Sequence, residues 1–84
     1  MNLSRAVLTE HALGQMARRQ VTAADVGRVL AAPEQVLEVR AGRVAAQGVA
    51  GEYLLRVFVD VDRIPAEVVT VYRTSKIEKY RSQP

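Results

Sequence analysis

The sequence predicts a small α+β fold, in which an N-terminal helical hairpin packs on one face of a four-stranded antiparallel sheet and a short helix or tail follows. Three observations lead to this prediction. Two helical patterns begin at threonines that can cap a helix, the hydrophobic period changes to two after Pro33, and the strand-like runs are joined by connections too short for helical crossovers. With 84 residues the chain can form one hydrophobic core, so we expect a single domain over 1–84.

Two threonines mark the beginnings of the predicted helices. Thr9 and Thr22 each follow an apolar residue that can pack against another one inside the helix, the pattern of a hydrophobic staple. Asp25 adds a carboxylate in the first turn of the second helix, where negative charge is favourable. The second helix should end ahead of Pro33, because proline cannot donate the backbone hydrogen bond of a further turn. The predicted helices span residues 9–20 and 22–31.

Four runs after Pro33 alternate between apolar and polar residues or are rich in valine, as β-strands are. Short connections, such as Ala41-Gly42, favour antiparallel hairpins between them. The predicted strands span residues 35–40, 43–48, 53–61 and 67–74. Ser75 can cap a short final helix over 75–80.

The third predicted strand directs alternate side chains to opposite faces of the sheet. Its face toward the helices should carry Leu55, Val57, Val59 and Val61, and its open face Leu54, Arg56, Phe58 and Asp60. If Val69 and Val71 of the fourth strand also face the core, Tyr72 lies beside Arg56, together with Thr70 and Thr74. Leu54 and Phe58 would leave an apolar patch on the open face, to be covered by the chain's own tail, a second copy or a partner segment.

The composition excludes several classes of site. The chain has no cysteine, which excludes disulfides, thiol catalysis and a cysteine-based zinc site, and its single histidine argues against a histidine-based metal centre. We therefore expect no metal and no cofactor. No apolar stretch resembles a signal peptide or could cross a bilayer, so we expect a cytoplasmic protein with no membrane partner. The net charge of +3 is concentrated at the two ends of the chain, which favours an anionic partner.

Helix one offers one ionisable ring. His11, Gln15 and Arg18 recur at helical spacing and should share a polar stripe. The opposite side of that helix should carry Leu13, Met16 and Ala17. A histidine can accept and return protons near neutral pH, which metal-free cleavage of RNA requires. The alternative is structural, with His11 hydrogen-bonded to a neighbouring strand or loop.

Arginine and tyrosine on the open face form a second candidate site. Arg56 and Tyr72 can hold a phosphate and stack on a base, and Arg43 can join them from the second strand. Alternatively, Arg56 covers Tyr72 or bridges to Asp60, and Arg43 is a solvated charge at a strand end.

The tail interleaves cations with tyrosines, which suits phosphate contacts combined with base stacking. The alternative is an ordinary cationic end that Ile77 and Tyr80 anchor to the sheet. The cations of this segment are Arg73, Lys76 and Lys79.

Three segments together resemble a known family: Thr-Glu-His-Ala-Leu-Gly-Gln-Met-Ala-Arg-Arg-Gln-Val-Thr-Ala-Ala-Asp-Val, Ala-Pro-Glu, and Val-Val-Thr-Val-Tyr-Arg-Thr-Ser-Lys. The chain resembles the bacterial domain-of-unknown-function four-two-five-eight family from Leu8 to about Tyr80. That family is grouped with the RelE-like branch of the barnase, EndoU, colicin and RelE ribonuclease fold, which includes toxin nucleases. The resemblance implies two helices on an antiparallel sheet whose open side faces RNA.

The resemblance also implies which positions matter. It places His11, Arg19, Thr70 and Tyr72 at the family's recurrent polar positions and Lys76 in its basic tail. The chain departs from the usual pattern at two positions, with Gln20 where glycine is usual and Gln15 where arginine is frequent.

The leading hypothesis is a metal-independent ribonuclease, the toxin of a toxin–antitoxin pair, that cleaves RNA by attack of the adjacent 2′-hydroxyl. Its partners would be RNA, free or on the ribosome, and an antitoxin protein. The catalytic candidates are His11, Arg56, Tyr72 and Lys76, and the RNA-binding candidates are Arg18, Arg19, Arg43, Thr70, Arg73, Lys79 and Tyr80. The alternative is a non-catalytic module that binds RNA or protein with the same face, or a homodimer that closes it.

Overall fold

Residues 2–81, the part of the chain that the computed structural model describes, form three helices and one five-stranded sheet. The prediction of an α+β fold is therefore confirmed. In chain order the elements are β1 Val7–Leu8, α1 Glu10–Arg19, α2 Ala23–Ala31, β2 Gln35–Arg40, β3 Arg43–Ala50, β4 Tyr53–Asp60, β5 Glu67–Thr74 and α3 Ile77–Arg81. None of these helices has the length and apolar character needed to cross a bilayer.

The two threonines predicted as helix caps occupy the N-cap positions of α1 and α2. Thr9 Oγ1 accepts a hydrogen bond from the backbone N–H of Ala12 at 3.2 Å, and Thr22 Oγ1 accepts one from that of Asp25 at 3.1 Å. These bonds give partners to backbone donors that a helix N-terminus otherwise leaves free. At the other end of α1, Gln20 adopts a left-handed conformation with φ of 56°, at a position where glycine is favoured.

The sheet has the strand order β1-β5-β4-β3-β2. Strands β2 to β5 form the predicted antiparallel meander, but the prediction of four strands is wrong by one. The additional strand β1 runs parallel to β5, with Val7 opposite Glu67. A strand of two residues is too short to show a period, and its pairing with β5 depends on contacts distant in sequence.

One face of the sheet forms the hydrophobic core with α1 and α2. Helix α1 packs along β5, and α2 packs over β3 and β4. The core residues of the sheet include Leu55, Val57, Val59, Val68 and Val71, each at most 1% exposed. The helices contribute Met16, Val26, Val29 and Leu30. We call this the helix face and the opposite side of the sheet the second face.

Two valines expected in the core lie elsewhere. Val61 follows the last residue of β4 and is 37% exposed. The register between β4 and β5 shifts at Phe58 and Val59, so that Val59 faces Val68 and Val69 is the extra residue. Because a β-bulge of this kind reverses the alternation of faces, Val68 is buried in the core and Val69 is only half-buried.

The expected polar stripe of α1 is also wrong in part. Gln15 is buried with Ala12 and Met16, whereas Leu13 is 47% exposed and Ala17 is exposed. The cause lies at the edge of β5, where Gln15 Oε1 accepts a hydrogen bond of 2.9 Å from the N–H of Val71. An unpaired strand edge needs polar partners, so α1 turns a glutamine toward it.

Candidate functional site

Four polar side chains form a row across the second face. The strand register sets Gln35 of β2 opposite Gln47 of β3, Gln47 opposite Arg56 of β4, and Arg56 opposite Tyr72 of β5. Side chains at directly opposed positions of antiparallel strands point to the same side of the sheet. We call Gln35, Gln47, Arg56 and Tyr72 the polar row.

Hydrogen bonds connect all four members of the polar row. Gln47 Nε2 donates to Gln35 Oε1 at 2.7 Å, and Arg56 Nε donates to Gln47 Oε1 at 3.0 Å. Arg56 Nη1 donates to the Tyr72 hydroxyl at 2.6 Å. Gln47 is only 1% exposed, and the other three residues are half-buried. The row therefore fixes the orientation of a guanidinium and a phenol in contact with each other.

Three aromatic rings surround the Arg56 guanidinium. Its Cζ atom lies 4.5 Å from the ring centroid of Tyr80, 5.3 Å from that of Phe58 and 5.7 Å from that of Tyr72. The rings of Phe58 and Tyr72 stack with their centroids 5.9 Å apart. Aromatic faces attract a cation and displace water around it, which strengthens its attraction for an anion. The arrangement includes the expected contact of Arg56 over Tyr72.

The chain's own tail lies on this face, one of the three covers considered from the sequence. Gln47 Nε2 also donates to the backbone oxygen of Tyr80 at 3.2 Å, which ties α3 to β3. Leu54 is fully buried on this side of β4, and Phe58 is half-buried. The second face is therefore partly closed by α3, whereas the sequence predicted an open one.

The Arg56–Tyr72 pair retains unused hydrogen-bonding capacity. Nη2 of Arg56 donates no hydrogen bond within residues 2–81. The Tyr72 hydroxyl accepts from Arg56, so its own proton is available to another acceptor. A phosphate with two oxygens near this pair can accept from both groups at once. Arginine and tyrosine together can thus bind an anion and donate a proton to it.

Arg19 adjoins the polar row from the end of α1. Its Nη1 donates to the backbone oxygen of Val71 at 2.9 Å, and its Cζ lies 6.0 Å from the Tyr72 ring. Gln15 and Arg19, one helical turn apart, thus bind the N–H and the C=O of the same β5 residue. The sequence predicted a binding role for Arg19 but not this anchoring contact.

None of the hydrogen bonds and ring contacts within residues 2–81 joins His11 to the polar row. It is exposed in the first turn of α1, and its side chain forms no hydrogen bond within the described part of the chain. The structure therefore does not bring His11 together with Arg56 and Tyr72. The hydrogen bond to a strand or loop, expected if His11 is structural, is likewise not formed within residues 2–81.

Arg43 pairs with Asp60 at the end of the meander. Its Nε donates to Asp60 Oδ1 at 2.6 Å and its Nη2 to Oδ2 at 3.1 Å. The hydrogen bond from Arg43 lowers the pKa of Asp60, and this effect outweighs burial, which raises it. Asp60 is thus bridged by Arg43 and not by Arg56, and Arg43 is less available for an external anion than a free cation would be.

The remaining predicted site residues are distributed around the second face. Thr70 is half-buried opposite Phe58, and Lys76 is exposed just before α3. Lys79 Nζ lies 5.4 Å from the Tyr80 ring. Arg18 and Arg73 are exposed and line a surface depression together with Arg19 and Gln20. Within residues 2–81, no three acidic or histidine side chains converge as a metal site would require.

Sequence reasoning missed Gln35 and Gln47, which complete the polar row. A signal was present, because Gln47 is a polar residue within a predicted strand otherwise rich in valine, alanine and glycine. Its partner across the hairpin is Arg56, which the sequence had placed on the second face. The register that joins them was not available from alternation alone.

A family model described as "Domain of unknown function (DUF4258)" matches residues 8–73 of the chain. The matched segment contains all four members of the polar row and ends before α3. No curated protein and no solved structure matches the chain.

Proposed function

Starting from the fact that the chain belongs to the DUF4258 family, we propose that it is a metal-independent ribonuclease of the RelE-like type that cleaves RNA at the Arg56–Tyr72 pair. The observation that carries this proposal is the 2.6 Å contact between Arg56 Nη1 and the Tyr72 hydroxyl. It holds a cation beside a proton donor on a half-buried surface. That combination suits a reaction in which negative charge develops on a phosphate while a leaving oxygen gains a proton.

The proposed reaction is an internal phosphoryl transfer. The 2′-oxygen of one ribose attacks the adjacent phosphorus, the bond from phosphorus to the 5′-oxygen breaks, and a 2′,3′-cyclic phosphate and a free 5′-hydroxyl form. Nη2 of Arg56 would donate to a non-bridging oxygen, whose negative charge increases in the transition state. The Tyr72 hydroxyl would give its proton to the departing 5′-oxygen.

The proton of the attacking 2′-hydroxyl needs a separate acceptor. Lys76, in its uncharged amine form, is the candidate from the sequence, and it lies between β5 and α3. His11 is not used in this scheme, since no hydrogen bond or ring contact within residues 2–81 joins it to the polar row. The role of Lys76 has its own test, which is whether Lys76→Ala lowers cleavage without weakening RNA binding.

Substrate recognition would rely on stacking and on the cations around the polar row. Tyr80 and Phe58 offer ring faces to unpaired bases, and Arg19 and Lys79 offer positive charge to the backbone. Bases can reach such rings only when they are not paired in a duplex. We therefore expect a single-stranded substrate.

The direct test is cleavage of a single-stranded RNA oligonucleotide in the presence of a chelator. Wild-type protein should release products that end in a 2′,3′-cyclic phosphate, and an all-2′-deoxy oligonucleotide should stay intact. Arg56→Ala and Tyr72→Phe should each lower the rate about 100-fold or more, the usual effect of removing a group that stabilises a developing charge. Absence of cleavage by the wild type, on free RNA and on ribosome-bound message, would reject the proposal.

A matched control separates a local effect from the loss of one positive charge. Arg40→Ala removes an exposed arginine whose side chain, within residues 2–81, forms a single hydrogen bond, to the backbone oxygen of Ala41. Its cleavage rate should stay within about twofold of the wild type, because exposed charges away from a site are screened by salt. A comparable loss in Arg40→Ala and Arg56→Ala would indicate a general charge effect.

The toxin assignment is tested in cells. Induced expression should arrest growth of a bacterial host, and Arg56→Ala should relieve the arrest at equal protein level. Coexpression of a short gene adjacent to this one should also relieve it, if that gene encodes the antitoxin. If cells that express active wild-type protein grow normally, the toxin assignment is rejected and the proposed nuclease activity is retained.

A second candidate is a non-catalytic module that binds RNA or a protein partner with the same face. It is favoured by one observation, which is that α3 lies on the second face with the Tyr80 ring 4.5 Å from Arg56 Cζ. A guanidinium that already contacts three rings and donates hydrogen bonds to Gln47 and to one of the three, Tyr72, can serve binding alone. This candidate predicts salt-sensitive binding of RNA with no product formed.

A further inference from the structure

A depression on the surface lies at the C-terminal end of α1, beside β5. Its lining residues are Arg18, Arg19, Gln20 and Arg73. Three of these four side chains are cationic, and in the part of the chain that the structure describes no carboxylate contributes to the lining. We call this feature the arginine depression. The polar row does not require it, so its charge calls for a separate explanation.

Two of the three arginines, Arg19 and Arg73, are held in place by contacts that leave donors free. Arg19 Nη1 donates to the backbone oxygen of Val71 at 2.9 Å. Arg73 lies over the ring of Tyr53, with Cζ 4.2 Å from its centroid. The Arg18 guanidinium lies beside Gly14, where a Cβ atom would be 3.6 Å from Nη1. Stacking and a single backbone contact fix a guanidinium while most of its N–H groups stay available.

Among residues 2–81, the lining of the depression contains no carboxylate that could balance its charge. The last turn of a helix attracts cations, which accounts for Arg18 and Arg19, but Arg73 comes from β5 and has no such reason to be there. Asp25 lines a neighbouring cavity together with Arg73 and Gln20, yet its carboxylate already pairs with Arg28. Guanidinium groups gathered around one depression repel each other, and a bound anion relieves that repulsion.

We propose that the arginine depression binds a backbone phosphate of single-stranded RNA, one that lies outside the cleavage position. The inference rests on the proposed function for the identity of the ligand. Arg19 connects the two features, because it lines the depression and its Cζ lies 6.0 Å from the ring of Tyr72 in the polar row. An RNA strand that crosses the second face at Tyr72 and passes over the β5 edge beside Arg19 reaches the depression. The depression thereby fixes the direction of the strand.

The test measures binding without cleavage. The probe is a fluorescent single-stranded RNA with 2′-O-methyl groups, which cannot undergo 2′-hydroxyl attack, and affinity is followed by anisotropy at several salt concentrations. The test variant is Arg18→Ala/Arg73→Ala, which spares the anchored Arg19. The charge-matched control is Arg5→Ala/Arg40→Ala, two arginines exposed elsewhere on the surface.

The test variant should bind at least about fivefold more weakly than the control. Its slope of log affinity against log salt should be shallower by about 0.7, since one phosphate contact with a single strand contributes about 0.7. Equal losses in the two double variants would overturn the inference. Unchanged binding in the test variant, together with weakened binding in Arg56→Ala, would overturn the phosphate-binding role of the arginine depression and keep the proposed function.

A second measurement covers the case in which the protein does not bind RNA. Inorganic phosphate is titrated into the ¹⁵N-labelled wild type, and the arginine Nε–H signals are followed by NMR. Saturable shifts at Arg18 and Arg73, with none at Arg5 and Arg40, would retain an anion site and reject RNA as its ligand. Absence of such shifts in a protein that also fails to bind RNA would reject both proposals.

Discussion

The helix face of the sheet is closed by two helices, whereas the second face is only partly closed. On the helix face, apolar residues such as Leu55 and Val57 pack against two helices of ten and nine residues. On the second face, Leu54 is equally buried, but it shares the surface with Gln47 and Arg56, and the element that reaches that face is the five-residue α3. Burial alone therefore does not identify the function of a surface. A cation held in a half-buried polar row indicates a site, whereas a closed apolar face indicates stability.

The difference between the faces also sets their expected energetics. Apolar packing is non-directional and tolerates small adjustments, so the helix face should supply most of the stability. The polar row needs each of its hydrogen bonds, because a buried polar group without a partner is costly. Substitutions on the two faces should therefore differ in size and in what they disturb.

The largest effect is expected on the helix face. Leu55→Ala should lower the free energy of unfolding by about 2–5 kcal/mol, the range for removing a buried leucine side chain and leaving a cavity. The matched control is Leu13→Ala on α1, whose side chain is 47% exposed, and it should change stability by no more than about 0.5 kcal/mol. Urea unfolding measures both values. A large loss in Leu13→Ala would show that α1 faces the core as the sequence predicted.

The next effect is expected at the centre of the polar row. Gln47→Ala should cost about 1–3 kcal/mol, since it leaves Arg56 Nε and the Tyr80 carbonyl without their partner. The double variant Gln47→Ala/Arg56→Ala should cost less than the sum of the single changes, by about 0.5 kcal/mol or more, because the two residues share one network. If the cost of the double variant equals the sum of the single costs, Gln47 and Arg56 do not share a network and the second face is a set of independent contacts.

Much of the fold could be predicted from the sequence because the helix caps and the strand alternation depend on neighbouring residues. The caps Thr9 and Thr22 and the alternation in β4 depend on neighbouring residues, so helices and meander could be predicted, and with them Arg56 and Tyr72 on one side. The pairing of β1 with β5 and the bulge at Val69 depend on residues far apart along the chain. No periodicity reports such contacts.

The candidate site was only partly predictable for the same reason. Gln15 was assigned to an outer stripe because it is polar. It is buried instead, because its Oε1 accepts a hydrogen bond from the free edge of β5. Gln47 became part of the site only through its register with Gln35 and Arg56. Composition could not decide whether the chain's own tail, a second copy or a partner segment covers the second face. The charge and aromatic content of the chain were compatible with all three.

A smaller effect is expected where α3 meets the polar row. Tyr80→Ala should cost about 0.5–1 kcal/mol, the range for a partly exposed contact between an arginine and an aromatic ring. Amide hydrogen exchange in α3 should become faster, while exchange in β4 should hardly change, since the helix face still holds that strand. Faster exchange throughout β4 would indicate that α3 is an integral part of the core and that the two faces do not differ as described.

The smallest effect is expected at the outer end of the second face, from Asp60→Asn. The Arg43 hydrogen bond lowers the pKa of Asp60 in the folded chain, so the ionised carboxylate stabilises the fold above its unfolded pKa of about 3.9. That contribution is lost as the pH falls through the lower, folded pKa. Solvent reaches Arg43, whose side chain is 28% exposed, and its screening keeps the contribution small.

Urea midpoints between pH 7 and pH 2 test this expectation. The midpoint of the wild type should exceed that of Asp60→Asn at pH 7, and the two midpoints should converge as the pH falls through the lowered pKa of Asp60 and the wild-type carboxylate becomes neutral. Glu52→Gln, at an exposed position in the turn between β3 and β4, is the control and should follow the wild type at every pH. A constant difference between wild type and Asp60→Asn down to pH 2 would mean that Asp60 stabilises the second face through its shape and not through its charge.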